Sequence, residues 1–367
     1  DSSMIIGISD TGVDYFHPDL VNKMHVNEED PPNGIDDDGN GYIDDYRGYD
    51  FADQDTSALP GSNYHGTRVA GIAGAETDNG FGMAGVGINA KLAALKIFKS
   101  ESGTAANTYE SIIYAADNGY DVINLSWGSA NSYTQAAQDI INYAVEEKNL
   151  IVIGAAGNTP EDLEFYPASY DNVLSVASTE NNDTKASFSS YSYQVDISAP
   201  GRAIYGTTSN DGFTSGDGTS FSSPQVAGAA ALVKTRFPEL NARQIIERIR
   251  VTSDNIYDLN STYQDKLGFG RLNIENALVA DEDTLKSIRL ESFSVNSDLG
   301  TDLYYGDSIE IHLTLKNYLA ESTPTVSLSS PSEYIEFNNQ SVAITTLPTL
   351  STNTITLTGA KISESAP

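Results

Sequence analysis

Apolar runs alternate with amphipathic stretches along roughly the first 280 residues. Short apolar runs predict strands at 4–8, 91–98, 121–127, 150–153 and 173–177. Helical periodicity predicts helices at 105–118, 132–148, 221–237 and 242–249, whereas the Gly/Ser-rich stretch 207–218 is typical of a loop. Strands that alternate with crossover helices predict an α/β fold with a mostly parallel sheet, covered on both faces.

The pattern changes close to residue 282. From 288 onward, apolar and polar residues alternate with a period of two, which predicts strands at 288–293, 308–315, 325–328, 341–346 and 354–357. We therefore predict two domains, 1–282 and 283–367, the second a small all-β sandwich of immunoglobulin or fibronectin type. It is short enough to be a truncated module, and we expect it to act as a binding or spacer unit whose ligand the sequence does not identify.

The composition of the chain excludes several classes of function. The chain has 51 acidic and 20 basic residues, a net charge of −31, so a polyanion such as nucleic acid is excluded as its main partner. It has no cysteine, which excludes disulfides, thiolate metal sites and a cysteine nucleophile. No apolar run reaches the roughly 18 residues that a membrane span needs. A general base with a near-neutral pKa must be one of only four histidines.

Three short segments carry the parts of a nucleophilic triad. Asp10 ends the first predicted strand, His65 opens a His-Gly-Thr-Arg stretch, and Ser220 precedes the long 221–237 helix. Taken singly, each residue is better explained as a turn former or a helix cap. Together, each beside a glycine, they supply a carboxylate, an imidazole and a hydroxyl in the order Asp, His, Ser.

With these motifs the chain resembles the subtilisin-like serine proteases, or subtilases, over about residues 1–280. The resemblance implies a subtilisin-like three-layer fold and an acyl-enzyme mechanism. It assigns Asp10 as the orienting carboxylate, His65 as the general base and Ser220 as the nucleophile. The family's oxyanion-hole asparagine matches Asn158. Removing such a donor typically costs roughly 10²–10³ in kcat.

The resemblance also implies where a peptide would bind. The substrate-pairing strand would be Ser126, Trp127 and Gly128, and the opposite pocket wall Ala155, Ala156 and Gly157. A core position for Trp127 remains the alternative. Phe165 corresponds to the floor of the primary pocket, where a ring indicates a shallow site. The acidic residues of its loop (Glu161, Asp162 and Glu164) would instead favour basic substrates, so both specificities stay open.

Two positions depart from the family pattern. Arg68 stands where the family usually has a second histidine, and Phe221-Ser222 replaces the commoner Met-Ala after the nucleophile. We expect Arg68 to change the environment of His65 without abolishing activity. We expect Phe221 to change the packing behind Ser220.

An acidic insertion lies between Asp10 and His65. Residues 27–55 contain eleven acidic residues and one arginine, so this segment carries −10 of the net −31. Its alternating oxygen side chains predict a structural calcium ion held by Asp36, Asp38, Asn40, the Tyr42 carbonyl and either Asp45 or, less favoured, Asp44. The alternative is a solvated, self-repelling loop.

The sequence therefore predicts a secreted or cell-surface, bacterial-type serine endopeptidase that is stabilised by calcium and cleaves polypeptides. An N-terminal pro-segment outside this chain is a further expected partner. Two alternatives stay open: a maturation protease with one narrow substrate, and an adhesive or scaffolding protein that has kept the fold without the activity.

Overall fold

The computed structural model describes residues 4–297, 303–330, 332–337 and 341–364. The chain divides into two compact units, Asp1–Val279 and Ala280–Pro367, close to the sequence-derived division after residue 282. Each unit is described separately below.

The first unit contains eleven strands and six α-helices among its described residues. The strands are β1 (Ile5–Asp10), β2 (Gly48–Asp50), β3 (Lys91–Lys96), β4 (Val122–Leu125), β5 (Ser129–Ala130), β6 (Ile151–Ala155), β7 (Phe165–Tyr166), β8 (Val173–Thr179), β9 (Ile197–Pro200), β10 (Ile204–Thr208) and β11 (Gly212–Gly216). The helices are α1 (His65–Gly74), α2 (Glu110–Asp117), α3 (Gln135–Asn142), α4 (Thr219–Arg236), α5 (Ala242–Val251) and α6 (Ile274–Val279).

A seven-stranded parallel sheet forms the centre of this unit, in the order β2-β3-β1-β4-β6-β8-β9. Its inner strands are buried on both faces, as their continuous apolar sequences predict. On one face of β1, the Ser9 hydroxyl hydrogen-bonds the Ser111 hydroxyl of α2 at 2.9 Å. On the other face, Ile6 lies close to Gly87, which itself lies close to Gly228 of α4. Helices therefore cover both faces, which makes three layers.

Helix α4 is the central helix of the unit. Its 18 residues are rich in alanine and serine, and most of its side chains are buried all round the helix. A Cβ on Gly228 would lie 2.7 Å from the Ala73 carbonyl of α1, so these helices approach more closely than an alanine would allow. Within the described residues, no helix is both long and apolar enough to span a bilayer.

Three predicted elements differ from the observed ones. The 105–118 helix begins only at Glu110, because Asn107 adopts a left-handed conformation (φ 52°) and bonds the Phe51 carbonyl. The 132–148 helix is α-helical to Asn142 and continues as a π-helical turn over Tyr143–Glu147. The predicted loop at 207–218 was wrong, since β10 and β11 form an antiparallel hairpin there. Its glycines hid the strand pattern.

The second unit consists of antiparallel strands. They are β12 (Ile288–Ser297), β13 (Ser308–Asn317), β14 (Thr325–Ser327), β15 (Ile335–Phe337), β16 (Ser341–Ala343) and β17 (Thr352–Ile362). One sheet has the order β12-β13-β17-β15, and β14 pairs with β16. Side chains of both sheets share one apolar core, including Leu313, Leu357 and Val342, which gives two packed layers. The immunoglobulin- or fibronectin-like topology stays a prediction.

Candidate active site

The predicted site residues converge at one edge of the parallel sheet. Asp10 is the last residue of β1, Ser126 follows β4, and Asn158 lies three residues beyond β6. These strands are neighbours in the sheet, so their carboxyl ends lie side by side. This edge is where open α/β sheets usually bind ligands.

The buried Asp10 carboxylate and the half-buried His65 imidazole form a hydrogen-bonded pair. The imidazole Nδ1 lies 2.8 Å from Oδ1 and 3.0 Å from Oδ2 of the carboxylate, which is 1% exposed. The Thr11 N–H also donates to Oδ1. A Cβ at position 66 would lie 2.4 Å from the Gly12 carbonyl and 2.9 Å from the Asp10 Cβ. Gly66 therefore permits the close approach that brings His65 onto Asp10.

Opposing influences set the pKa of His65. Burial lowers it, because a charged imidazolium loses its hydration. The Asp10 charge and its hydrogen bond raise it, and Arg68 lowers it through like-charge repulsion. The net result is a pKa above the ordinary histidine value. Because Nδ1 is held by Asp10, Nε2 is the nitrogen left to exchange a proton in the cleft.

Ser220 occupies the first turn of α4. Its hydroxyl donates to the Ser126 carbonyl at 3.3 Å, its one hydrogen-bond partner among the described residues. The Ser126 hydroxyl in turn donates to the Ser220 carbonyl at 3.0 Å. Ser220 and His65 line the same cleft. Catalytic hydrogen bonds are often long before a substrate binds, so a hydroxyl on the rim of the cleft is compatible with a nucleophile.

Asn158 is oriented by the residue that precedes Ser220. Its Oδ1 accepts from the Thr219 N–H at 2.8 Å and from the Thr219 hydroxyl at 3.0 Å. Because the oxygen is engaged in this way, the amide NH₂ group is left to face the cleft that Asn158 lines. The residue thus presents a donor beside Ser220, at the N-terminus of a helix whose dipole favours negative charge.

A cleft of about 350 Å³ joins these groups. Nine predicted site residues line it, namely His65, Ser126, Trp127, Gly128, Ala155, Gly157, Asn158, Phe165 and Ser220. Ala156 does not, because its side chain packs in a core cluster with Ala177 and Leu267. Five lining residues were not predicted: Thr11, Asn63, Phe98, Gly103 and Thr219. Thr11, Asn63 and Thr219 are close in sequence to Asp10, His65 and Ser220, and only this proximity could have identified them.

Trp127 and Phe165 both lie at this cleft. The Trp127 indole N–H donates to Ser9 at 3.0 Å and its ring meets Tyr109 edge to face, so it both packs inward and lines the cleft. A Cβ on Gly128 would lie 2.4 Å from the Phe165 ring, and one on Gly157 would lie 2.8 Å from it. The ring therefore fills the space between the two predicted pocket walls.

The acidic insertion forms a compact, hydrogen-bonded loop. Asp36 accepts from the N–H groups of Asn40 and Gly41, and the Asn40 Oδ1 accepts from the Tyr42 N–H. The side-chain amides of Asn27 and Asn40 each donate to both the Asp38 and the Asp45 carboxylate, with N–O distances of 2.6–3.1 Å.

Asp44, the less favoured fifth ligand, accepts backbone N–H groups elsewhere in the loop. In the described ranges, no group of three or more His, Cys, Asp or Glu side chains is preformed around a metal position. The Asp38 and Asp45 carboxylates do converge, however, and Asn27 and Asn40 would offer oxygens there if their amides turned. Asp45 is 1% exposed, and burial raises the pKa of its carboxyl while hydrogen bonds from Tyr114, Asn40 and Asn27 lower it. A cation would suit this oxygen set.

Comparison with known sequences identifies relatives of this unit. A family model described as the subtilase family matches residues 1–273. The chain is 38% identical over 278 residues to a thermophilic serine proteinase of Bacillus sp. strain AK1, covering 76% of this chain and 62% of that protein. It is also 38% identical over 274 residues to thermitase of Thermoactinomyces vulgaris, covering 74% and 88%. The match to a halolysin-like extracellular serine protease of Natrialba magadii is 32% identical and covers 77% and 49%.

Solved structures show the same fold. A protease of Pseudoalteromonas arctica PAMC 21717 matches with a TM-score of 0.60 and 27% identity, over 75% of this chain and 89% of that one. A lanthipeptide protease matches with a TM-score of 0.61 at 21% identity, over 76% and 87%, a likeness of fold alone. The subtilisin-like α/β fold that the motifs implied is therefore confirmed.

We predict that Asp10→Asn will lower the pKa of His65, because burial would then act without the opposing carboxylate charge. Titration of the histidine ¹³Cε1 resonances by NMR measures this directly, and the His65 signal is the one lost in His65→Gln. Asp14→Asn is the matched control, since Asp14 lies half-buried in the loop that follows β1 and accepts from the Phe16 N–H. An equal shift in both variants, or none in Asp10→Asn, would contradict the pairing.

Proposed function

The chain belongs to the subtilase family, which confirms the resemblance seen in its motifs, and we propose that it is an endopeptidase that uses Asp10, His65 and Ser220. The observation that carries the proposal is the 2.8 Å contact between Asp10 and His65 at the rim of a cleft shared with Ser220 and Asn158. A buried carboxylate, an imidazole, a hydroxyl and an amide donor suit acyl transfer.

The residues divide the reaction between them. The Ser220 oxygen attacks the peptide carbonyl carbon, and its proton passes to Nε2 of His65. Asp10 holds the imidazole through Nδ1 and stabilises the imidazolium. The Asn158 amide and the Ser220 N–H donate to the oxyanion. The departing amine takes the proton from His65 and leaves an acyl ester on Ser220, which a water molecule cleaves by the same route.

Secretion is part of the proposal. The relative from Natrialba magadii is named an extracellular protease and another, from Bacillus subtilis, a cell wall-associated protease. A chain with a net charge of −31 and no cysteine is suited to an exported protein whose stability does not depend on disulfides. We therefore place this protein outside the cell or on its surface.

The Phe165 ring supports a substrate with a small side chain before the scissile bond. It occupies the space between Gly128 and Gly157, next to Ser220. None of the three acidic residues of its loop lines the cleft, and two of them are engaged elsewhere: Asp162 pairs with Lys266 at 2.5 Å, and Glu164 accepts from Tyr166. Steric exclusion therefore outweighs charge in the proposed specificity.

The convergence of Asp38 and Asp45 supports a calcium ion in the acidic insertion. We propose that these carboxylates bind it with Asp36, Asn40 and the carbonyl of Tyr42. When bound, the ion would neutralise carboxylates that otherwise repel one another. The rival structure is a loop held by its amide donors alone.

A serine-directed fluorophosphonate should label the folded protein once, on Ser220, as measured by mass spectrometry. Ser220→Ala should lose the label and reduce casein hydrolysis by roughly 10⁴-fold or more. Ser129→Ala, an exposed serine two residues after Trp127, should keep both. A folded protein that takes no label would favour the adhesive or scaffolding alternative. If the protein is labelled but cleaves only one sequence in a peptide library, the result would favour the maturation protease.

Peptide anilides that differ only in the residue before the scissile bond should show the effect of Phe165. We expect kcat/KM to be at least about tenfold higher for alanine than for phenylalanine, and Phe165→Ala to reverse this order. Phe81→Ala, which removes an exposed ring outside the cleft, should leave the order unchanged. A wild-type preference for phenylalanine or lysine would contradict the small-residue proposal.

Chelation should lower the melting temperature if calcium holds the loop. With free calcium near 100 times its Kd, the expected loss is about 2.7 kcal/mol of unfolding free energy. Asp38→Ser should remove the calcium dependence, whereas Glu28→Gln, an exposed acid of the same loop, should retain it. A melting temperature unchanged by EGTA in the wild-type chain would overturn the calcium proposal.

A further inference from the structure

The two departures from the family pattern lie in contact with each other. The Arg68 guanidinium carbon is 5.2 Å from the centre of the Phe221 ring. The same ring lies 5.4 Å from the imidazole of His65 at an interplanar angle of 38°. The Phe221 ring therefore contacts both Arg68 and His65, and the three side chains form a contiguous stack that includes the imidazole of the Asp10–His65 pair. An arginine over an aromatic face is an attractive cation–π contact.

The β10–β11 hairpin has space for this stack only because two of its positions are glycine. A Cβ on Gly206 would lie 2.4 Å from the Arg68 Cγ. A Cβ on Gly216 would lie 2.5 Å from an Arg68 terminal nitrogen and 2.7 Å from the Phe221 ring. The hairpin is also tied to α1, because the Thr207 hydroxyl donates to the Thr67 carbonyl at 2.6 Å. The fold therefore forms a defined slot for Arg68 between α1 and the β10–β11 hairpin.

Arg68 has no anionic partner in this slot. Among the described residues it forms no ion pair, and its Nε is buried without a hydrogen-bond acceptor. This is unusual in a chain with 51 acidic residues, where Arg202 and Arg271 each bind two carboxylates. An unpaired charge in a partly buried position acts on its neighbours more strongly than an ion pair does.

We propose that Arg68 is a positioning residue for His65: it fixes the Phe221 ring behind the imidazole, and its unpaired charge favours the neutral imidazole that acts as the base. The inference deepens the proposed protease function and rests on it. Arg68 itself touches no reacting atom. It acts through the ring and through its electric field.

The charged and titratable groups around the imidazole come from few elements. Asp10 from β1 and Arg68 from α1 are the two that influence its protonation. The first turn of α4 brings Ser220 and no acid. Tyr205 of β10 stacks on Phe213, and Lys96 of β3 pairs with Asp50. A change at Arg68 should therefore alter a balance between two opposite charges.

The size of the effect follows from the stack. Its two contacts of 5.2 and 5.4 Å place the guanidinium within about 11 Å of the imidazole. A unit charge at that range should change the ratio of neutral to protonated imidazole by roughly twofold in a water-like environment and roughly tenfold at the dielectric constant of about 20 typical of a protein surface. Removing the charge should therefore reduce the neutral fraction by at least about twofold at a pH below the titration midpoint, and move that midpoint to higher pH.

NMR titration of His65 in the full chain tests this, with Ser220→Ala in every sample to prevent self-digestion. Arg68→Met and Arg68→Gln, which remove the charge, should both raise the midpoint, while Arg68→Lys should leave it close to wild type. Lys148→Met is the matched control, because it removes one charge from an exposed pair with Asp117 beside the amino ends of β4 and β6. Because methionine and glutamine differ in shape and polarity but are both neutral, a shift shared by the two variants reports the loss of charge and not a change in packing.

Equal shifts in Arg68→Met and Lys148→Met, or an unshifted midpoint in both neutral variants, would overturn the proposal. A near-ultraviolet circular dichroism spectrum matching wild type identifies the variants that are folded. With Ser220 intact, the acid limb of the kcat/KM profile should move in the same direction. If the chain hydrolyses no peptide at any pH, the proposed function fails, but the imidazole titration still decides the role of Arg68.

Discussion

The close approach of α1 to the end of β1 is the constraint on which the site depends. Gly66 stands where a Cβ would meet the Gly12 carbonyl at 2.4 Å, so any larger residue would push the helix away from Asp10. The Asp10 carboxylate is 1% exposed, and a buried charge needs hydrogen-bond donors. His65 and the Thr11 N–H supply them. The position of α1, the burial of the Asp10 carboxylate and the orientation of the His65 imidazole therefore depend on one another.

Local sequence was sufficient for the parts of the site that follow strand ends. Asp10 could be located as the end of a predicted strand, and the resemblance to the subtilases supplied Ser126 and Asn158. All three lie at one edge because parallel strands place their carboxyl ends together. Phe98 and Gly103 could not be predicted, since a loop brings them to the cleft through contacts distant in sequence. The hairpin at β10 and β11 was missed for a different reason: glycines that serve close packing also remove the β-propensity signal.

Charge in this molecule is organised by position. The acidic insertion satisfies most of its carboxylates with backbone and amide donors, so its −10 is compatible with a defined loop. Near His65, in contrast, the charges are few and act on one group: the Asp10 carboxylate and the unpaired Arg68 guanidinium influence the imidazole with opposite signs. A net charge of −31 describes neither environment. Local desolvation decides how strongly each charge acts.

The parallel topology also controls when the proposed triad can assemble. Asp10 belongs to the first strand and Ser220 to a helix that follows the eleventh, so most of the first unit must fold before they meet. Parallel sheets are rich in contacts between distant residues, and such folds form slowly. A partly synthesised or partly unfolded chain therefore lacks the assembled site. The fold itself delays the meeting of Asp10 and Ser220 until the first unit is complete.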